Sequence, residues 1–392
     1  MNEFTALLGR SAQEIEGSFH TAHEIAQQPE LWAKVLDLLE RRQEELKSFM
    51  AAAGMTGTGS SAALLAGAGS SAFVGASIAA TLRERLGRDV QAVPTTDLVT
   101  HPQSPFCANR TYAVVHFARS GDSPESVAAW RLVSAVRPDA SHLVITCNPD
   151  GALHREAARR PGALSLLLPV ESNDRSLAMT SSFTSMALCG IGLGFIADPG
   201  RLREHMRSVV CGTQRIIENY ANLLAELGER PYSKACYLGS HALAGAMQEG
   251  ALKMLEMTAG AVTTASNSFL GIRHGPRVFI DESCLVVACL SSQEKVRRYE
   301  LDLLRDLRER GQAAGILALS VGDDPEIRAL ADHCILIAPD GNAILDELRV
   351  LTDIVACQLL AFFAARSRGL MPDSPSPDGV ISRVVQGVRI YE

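Results

Sequence analysis

The chain has 392 residues, of which 47% are apolar, 21% charged and 5% aromatic, and its formal net charge is −7. That length accommodates two ordinary domains with good cores, and the composition excludes a disordered chain. Lys and Arg are scattered among Asp and Glu, so no basic face is offered to a phosphodiester backbone and nucleic acid is not an expected partner.

The N-terminus, MNEFTALLGRSAQEIEG, carries acids where a secretory signal carries bases, and no apolar segment follows it. The nine cysteines include no CxxC pair and sit in apolar runs such as Val144-Ile145-Thr146-Cys147. Both features predict a cytoplasmic protein with buried thiols, no disulfide frame and no zinc site. Residues 1–50 read as a helical segment, helical from about Ser11 to Met50. His20, His23 and Glu24 share a spacing that a metal site also uses, but a solvated helix face is the expected reading and no metal is predicted. A Gly/Ser-rich connection, AAAGMTGTGSSAA, comes next.

Residues 51–200 alternate short branched apolar runs with longer helical patterns, as βαβ units around a parallel sheet do. Three hydroxyl-rich turns fall where strands should hand over to helices: Gly69-Ser70-Ser71, Ser120-Gly121-Asp122-Ser123, and Thr180-Ser181-Ser182 with Thr184. Glycine lets a backbone approach closely and serine donates without bulk, so such turns at helix N-termini suit a phosphate. Plain helix capping is the competing reading. Gly67-Ala68-Gly69-Ser70-Ser71-Ala72 also satisfies G-x-G-x-x-A, with Asp97 downstream, as a nicotinamide cofactor site would, but that fingerprint accounts for one serine turn only. No cofactor is predicted.

Residues 201–228 read as amphipathic linker helices, and residues 229–370 repeat the α/β alternation. LLAGAGSSA at Leu64 is echoed by ACYLGSHALAGA at Ala235, the Ser120 turn by Ser291-Ser292, and HLVITCNPDG at His142 by ILALSVGDDP at Ile316, all offset by about 170 residues. ALSLLLPVESND and CILIAPDGN form a fourth pair. The expectation is one duplicated flavodoxin-like unit. The apolar runs SMALCGIGLGFIA and IVACQLLAFFAA are shorter than the roughly 20 residues of a spanning helix and read as core, so no membrane is expected. In the second half Glu249, Lys253 and Glu256 follow i, i+4, i+7 and share one helix face, either as surface salt bridges or as functional charges. His274 stands between Arg273 and Gly275-Pro276, hence on a loop. Residues 371–392 contain three closely spaced prolines and then Val384, Val385, Val388 and Ile390, an extended tail too apolar to remain in solvent.

The hydroxyl turns, the helix ALKMLE, the loop IRHGP and the tail together resemble the double sugar isomerase (SIS) domains of glucosamine-6-phosphate synthase. PTTDLVTHP, FARSGDSPESVAA, TCNPDG, NDRSLAMTSSFT and RVVQGVRIY are similar, more closely, to the bacterial tagatose-6-phosphate ketose/aldose isomerases, also read as galactosamine-6-phosphate deaminase/isomerases. The resemblance runs from about residue 45 to the end. It implies that Ser70, Ser71, Ser120 and Ser123 hold a sugar phosphate, that Leu177 and Ala178 line the sugar, and that Glu256 moves a proton between C1 and C2. It further implies that His274 assists ring opening from the neighbouring subunit of a homodimer.

Four positions depart from the synthase pattern. Ala118 and Arg119 replace Ser and Gln, and Arg119 either adds a phosphate contact or faces solvent. Met179 replaces Ser. Arg383 stands near the synthase lysine, where an arginine stays protonated and forms no Schiff base. Residue 2 is Asn where the synthase has its glutaminase cysteine. The expected reaction is therefore release of ammonia from galactosamine 6-phosphate to give tagatose 6-phosphate. A plain aldose–ketose isomerase and a non-catalytic sugar-phosphate sensor are the alternatives.

Overall fold

The computed structural model describes residues 4, 16–57, 59–338, 344–376, 378–385 and 387–391. Most of the expected helical segment before residue 16 lies outside the described residues. The chain forms two compact units, and neither is continuous in sequence. One comprises Glu30–Asp174, Ser181–Arg203 and the tail from Gly379; the other comprises the described residues up to Pro29, Arg175–Thr180 and Glu204–Asp378.

The chain opens with helices α1 (Phe19–Ala26), α2 (Gln28–Arg41) and α3 (Gln43–Ala52). The first α/β unit then runs β1 (Ala62–Gly67), α4 (Ser70–Leu86), β2 (Asp89–Pro94), α5 (Thr95–Thr100), β3 (Tyr112–Ala118), α6 (Pro124–Val136), β4 (Ser141–Thr146), α7 (Ala152–Arg159), β5 (Leu164–Leu167) and α8 (Ser181–Leu193). All five strands are parallel in the order β2-β1-β3-β4-β5, which is flavodoxin-like and not the six-stranded dinucleotide-binding order. Asp97 lies on α5, past the end of β2. Every residue of β1 and β3 is buried, as a sheet covered on both faces requires. Ala66 is level with His116 and Ala118 with Thr146, so the turns after β1, β3 and β4 open at the same edge.

After α9 (Pro199–Asn219) and α10 (Ala221–Glu229), the other unit runs β6 (Lys234–Gly239), α11 (Ala242–Met257), β7 (Thr263–Asn267), β8 (Cys284–Cys289), α12 (Glu294–Glu309), β9 (Gly315–Ser320), α13 (Pro325–Leu330), β10 (His333–Leu336) and α14 (Asp346–Ser367). Its order, β10-β9-β8-β6-β7, is the first order read from the opposite edge. Helix α14 is long and apolar enough to cross a membrane, yet it is buried along its whole apolar window, against α10 and α11.

The two sheets reuse one strand-to-helix turn. Gly69 at the start of α4 has φ 56° and ψ −129°, and His241 at the start of α11 has φ 55° and ψ −122°. A Cβ on Gly67 would meet the Ser71 backbone at 2.4 Å, and one on Gly239 the Leu243 carbonyl oxygen at 2.7 Å, so only glycine lets each helix start this close to its strand. His241 adopts a backbone conformation that disfavours a side chain, held there by the elements on either side.

His116 on β3 and His142 on β4 are buried with Nε2 and Nδ1 3.0 Å apart, their rings stacked and Trp130 against both. Neither His116 Nδ1 nor His142 Nε2 has a hydrogen-bond partner among the described residues. Burial pushes both imidazoles down, His116 with help from its neighbour and His142 to about 4 with help from Arg160. The folded values lie below the unfolded value of about 6.5, so the unfolded chain takes up protons first. Their stabilisation is complete above that pH and is lost as pH falls. Urea unfolding should lose about 3 kcal/mol through His142 alone between pH 6.5 and 4, and His142→Gln should flatten that slope.

Candidate active site

In the first unit, Ser70 and Ser71 open α4 at the end of β1, both nearly buried, and the Ser71 hydroxyl makes no hydrogen bond among the described residues. The Ser120 turn opens beside it. Gly121 takes φ 70°, and Asp122 points back into the sheet edge, accepting from Ala152 N–H at 2.8 Å and Asn148 Nδ2 at 3.3 Å. Asn148 Nδ2 also donates to the Ser120 carbonyl at 2.8 Å. Asp122 thus caps α7 and ties the β3 turn to the β4 turn. Ser123 is the N-cap residue of α6 and donates from Oγ to Ser126 Oγ at 2.6 Å. Ser70, Ser71, Ser120 and Ser123 therefore share one edge, each at or just before a helix N-terminus, where unpaired N–H groups favour an anion.

Arg119 does not face solvent: it is buried and donates to the Arg383 carbonyl at 2.9 Å. The Arg383 guanidinium donates to the Asp174 carbonyl, at 3.0 Å from Nε and 2.6 Å from Nη2, and to Asn173 Oδ1 at 2.6 Å. The tail is thereby strapped to the first unit by two arginines.

The third hydroxyl turn has another use. Ser181 and Ser182 donate from backbone N–H (3.2 and 2.9 Å) and from Oγ (both 2.5 Å) to the buried Asp174 carboxylate, which caps α8. Thr184 Oγ1 accepts from Trp32 Nε1 at 3.1 Å. Those hydroxyls are committed within the chain, so the expectation of a third phosphate turn is corrected. Asp174 went unnoticed in the sequence because a capping residue seven and eight positions before its partners follows no local pattern.

In the other unit, Leu177 N–H donates to the Asp373 carbonyl at 3.0 Å and Ala178 is buried, as is Met179. Glu24 is also buried, and its carboxylate accepts from Arg175 N–H, Ser176 N–H and the Ser176 hydroxyl. The solvated face expected for this helix therefore fails at Glu24, which organises the 175–176 backbone.

The α11 charges are not surface salt bridges. Glu249 and Lys253 are 0% exposed, and the side chain of Glu256 is 24% exposed. Lys253 Nζ lies 3.3 Å from Glu249 Oε1 and donates to Glu256 Oε2. Burial pulls the ammonium down, but the two carboxylates outweigh it and hold Lys253 above its usual value, so it stays charged. Of the two carboxylates only Glu256 reaches solvent, with its position set by Lys253. His274 ends a short 3-10 turn, Gly271–His274, is exposed, and makes no hydrogen bond or ion pair among the described residues.

The turn in this sheet that matches Ser120 is closed. Ser291 N–H donates to Glu300 Oε2 at 2.7 Å, Ser292 N–H to Asp346 Oδ1 at 2.8 Å, and the Ser291 hydroxyl to Asp346. The chain's own carboxylates occupy the donors that remain available after β3.

Asp174→Ala should leave two serines and two helix N–H groups without their acceptor, at a cost of about 3 kcal/mol in urea unfolding. It should also raise proteolytic cleavage of the tail after Gly379, because Arg383 is anchored on the same residue.

The chain is similar to known proteins in sequence and in fold. The SIS domain matches residues 59–190. D-galactosamine-6-phosphate deaminase AgaS of Escherichia coli is 37% identical over 373 residues, covering 95% of each chain. The crystal structure of tagatose-6-phosphate ketose/aldose isomerase from Escherichia coli matches with a TM-score of 0.85 and 33% identity, over 95% of this chain and 97% of the other. A glutamine–fructose-6-phosphate aminotransferase (isomerizing), from Mycolicibacterium smegmatis, is 25% identical over 68% of this chain and 42% of its own. With two flavodoxin-like SIS domains in tandem and this identity over nearly its whole length, the chain belongs to the family of D-galactosamine-6-phosphate deaminase AgaS.

Proposed function

We propose that this protein is an amino-sugar-phosphate deaminase/isomerase that converts galactosamine 6-phosphate to tagatose 6-phosphate and ammonia. The observation that carries the reading is Glu256, a half-buried carboxylate held by a buried ammonium and open to solvent on its other side. Ser70, Ser71, Ser120 and Ser123 hold the phosphate. His274 assists opening of the pyranose ring. In the open chain Glu256 takes the proton from C2 and returns it to C1 while O1 gains a proton and the nitrogen gives one up, which converts the C1 aldehyde to an alcohol and the C2 amine to an imine. Water adds to the imine carbon, ammonia leaves, and the C2 ketone remains, so one carboxylate serves as base and then acid. The site is read as cytoplasmic and needing no cofactor, in a homodimer whose neighbouring subunit supplies His274.

A plain aldose–ketose isomerase is the second reading, favoured by the name of the Escherichia coli structural neighbour. Ammonia release measured over a panel of 6-phosphorylated hexosamines, beside ketose formation from aldose phosphates, separates the two. Ketose formation with no ammonia from any amino sugar would overturn the deaminase.

Glu256→Gln should retain phosphate binding and lose at least about 10²-fold in turnover, the ordinary size of a general-base contribution. Ser71→Ala and Ser120→Ala should each weaken substrate binding by about 1–3 kcal/mol, read by calorimetry against the dephosphorylated sugar. Mixing inactive Glu256→Gln and His274→Ala dimers should restore roughly a quarter of wild-type activity if the residues come from different subunits. No recovery, with subunit exchange confirmed, would place both in one chain's site.

A further inference from the structure

The loop that carries His274 is fastened at both ends and held in the middle by charge. Phe269 and Ile272 before it and Ile280 after it are buried in the cluster that contains Leu301, Leu304 and Leu307 of α12. Between Ile272 and Ile280 the backbone makes only short local hydrogen bonds, Arg273 N–H to Leu270 and Val278 N–H to Gly275, both 3.2 Å. Gly275, at φ 122°, turns the chain so that His274 and Val278 face outward, Val278 being 89% exposed.

The two arginines that flank His274 turn the other way. Arg277 Nη1 donates to Asp306 of α12, and Arg273 Nη1 lies 3.6 Å from the same carboxylate. Arg277 also reaches Gln312 Oε1 from Nε at 3.1 Å and from Nη2 at 2.7 Å. Arg310 completes the group, with Nε 2.8 Å from the second oxygen of Asp306. The Arg277 fork fixes direction as well as distance, because a planar guanidinium engages two acceptors at once. The Arg277 and Arg310 hydrogen bonds hold Asp306 down at about 2, so the tether stays charged at any working pH.

We propose that Asp306 and Arg277 are positioning residues for ring opening, acting through His274 by fixing the loop that presents it. The inference rests on the reading of His274 given above. Neither residue touches substrate in this account. Both tie an exposed, otherwise unbonded imidazole to a rigid 16-residue helix. Loss of the tether leaves the apolar fastenings and the fold in place and lets the His274 turn wander.

The test is a double-mutant cycle on the purified full-length protein, following ammonia release from galactosamine 6-phosphate. Asp306→Asn and Arg277→Gln should each lower kcat about 10-fold, as expected when a catalytic group is misplaced by a fraction of an ångström, with KM and Tm little changed. Asp306→Glu should recover most of the loss. Added to His274→Ala, Asp306→Asn should cost nothing further, because both changes remove the same step. An inactive His274→Ala beside a fully active Asp306→Asn and Arg277→Gln would overturn the tether alone. Additive losses, or a fall in Tm that tracks the fall in kcat, would reduce the network to a stability element. A fully active His274→Ala would remove the histidine's role first, and the tether's with it.

Discussion

A lysine ammonium with no exposed surface must be neutralised within hydrogen-bond reach, and Lys253 meets that requirement on its own helix. Glu249 lies one turn before it and Glu256 one turn after, and together they carry one negative charge more than they neutralise. Of the two carboxylates, Glu256 is the one that water reaches. The i, i+4, i+7 spacing puts two carboxylates astride one amine on a single helix face. It also demands close packing on the buried side, where Gly250 lies so near Cys357 of α14 that a Cβ would meet the sulfur at 3.0 Å.

The same economy of charge distinguishes the two sheet edges. Helix N-termini at the ends of parallel strands present unpaired N–H groups, and something negative must meet them or they stay with water. After β8 the chain supplies Glu300 and Asp346, which take the Ser291 and Ser292 N–H groups. After β3 the acids at the turn are Asp122, which turns away to cap α7, and Glu125 in the first turn of α6, and the Ser71 hydroxyl makes no hydrogen bond among the described residues. One fold used twice thus meets its helix N-termini differently, with Glu300 and Asp346 after β8 and with the Asp122 cap of α7 after β3.

Much of this was legible in sequence, and what was not has a common cause. The alternation of apolar runs and helical patterns fixes two parallel sheets, because burial on both faces leaves few other residues possible in β1, β3, β6 and β8. The Ser120 turn and the Glu256 helix were visible as well, since each is a local pattern read within about ten residues. Pairings at long range were not. Asp174 with Ser181, Glu24 with Ser176, Asp346 with Ser291 and Asp306 with Arg277 join residues between 7 and 152 positions apart. Nothing in a stretch of chain says whether an acid there is solvated or caps a distant helix. A buried carboxylate such as Glu24 or Glu249 has no local signature that separates it from surface charge.

Arg383 shows how such a pairing changes a chemical argument. Sequence raises the question of whether it replaces a lysine that could take part in covalent chemistry, and an arginine's persistent charge already argues against an imine. The structure adds a positive use for that charge. A guanidinium can hold two acceptors in fixed directions, and here it holds the Asp174 carbonyl and the Asn173 side chain while its own carbonyl accepts from Arg119. A lysine could occupy the space but could not make the fork. The tail is fixed by geometry that only arginine supplies at this position, on the residue whose carboxylate also caps α8. An arginine so held is a structural anchor that neither gains nor loses a proton, and the general-base role proposed above for Glu256 makes no demand on it.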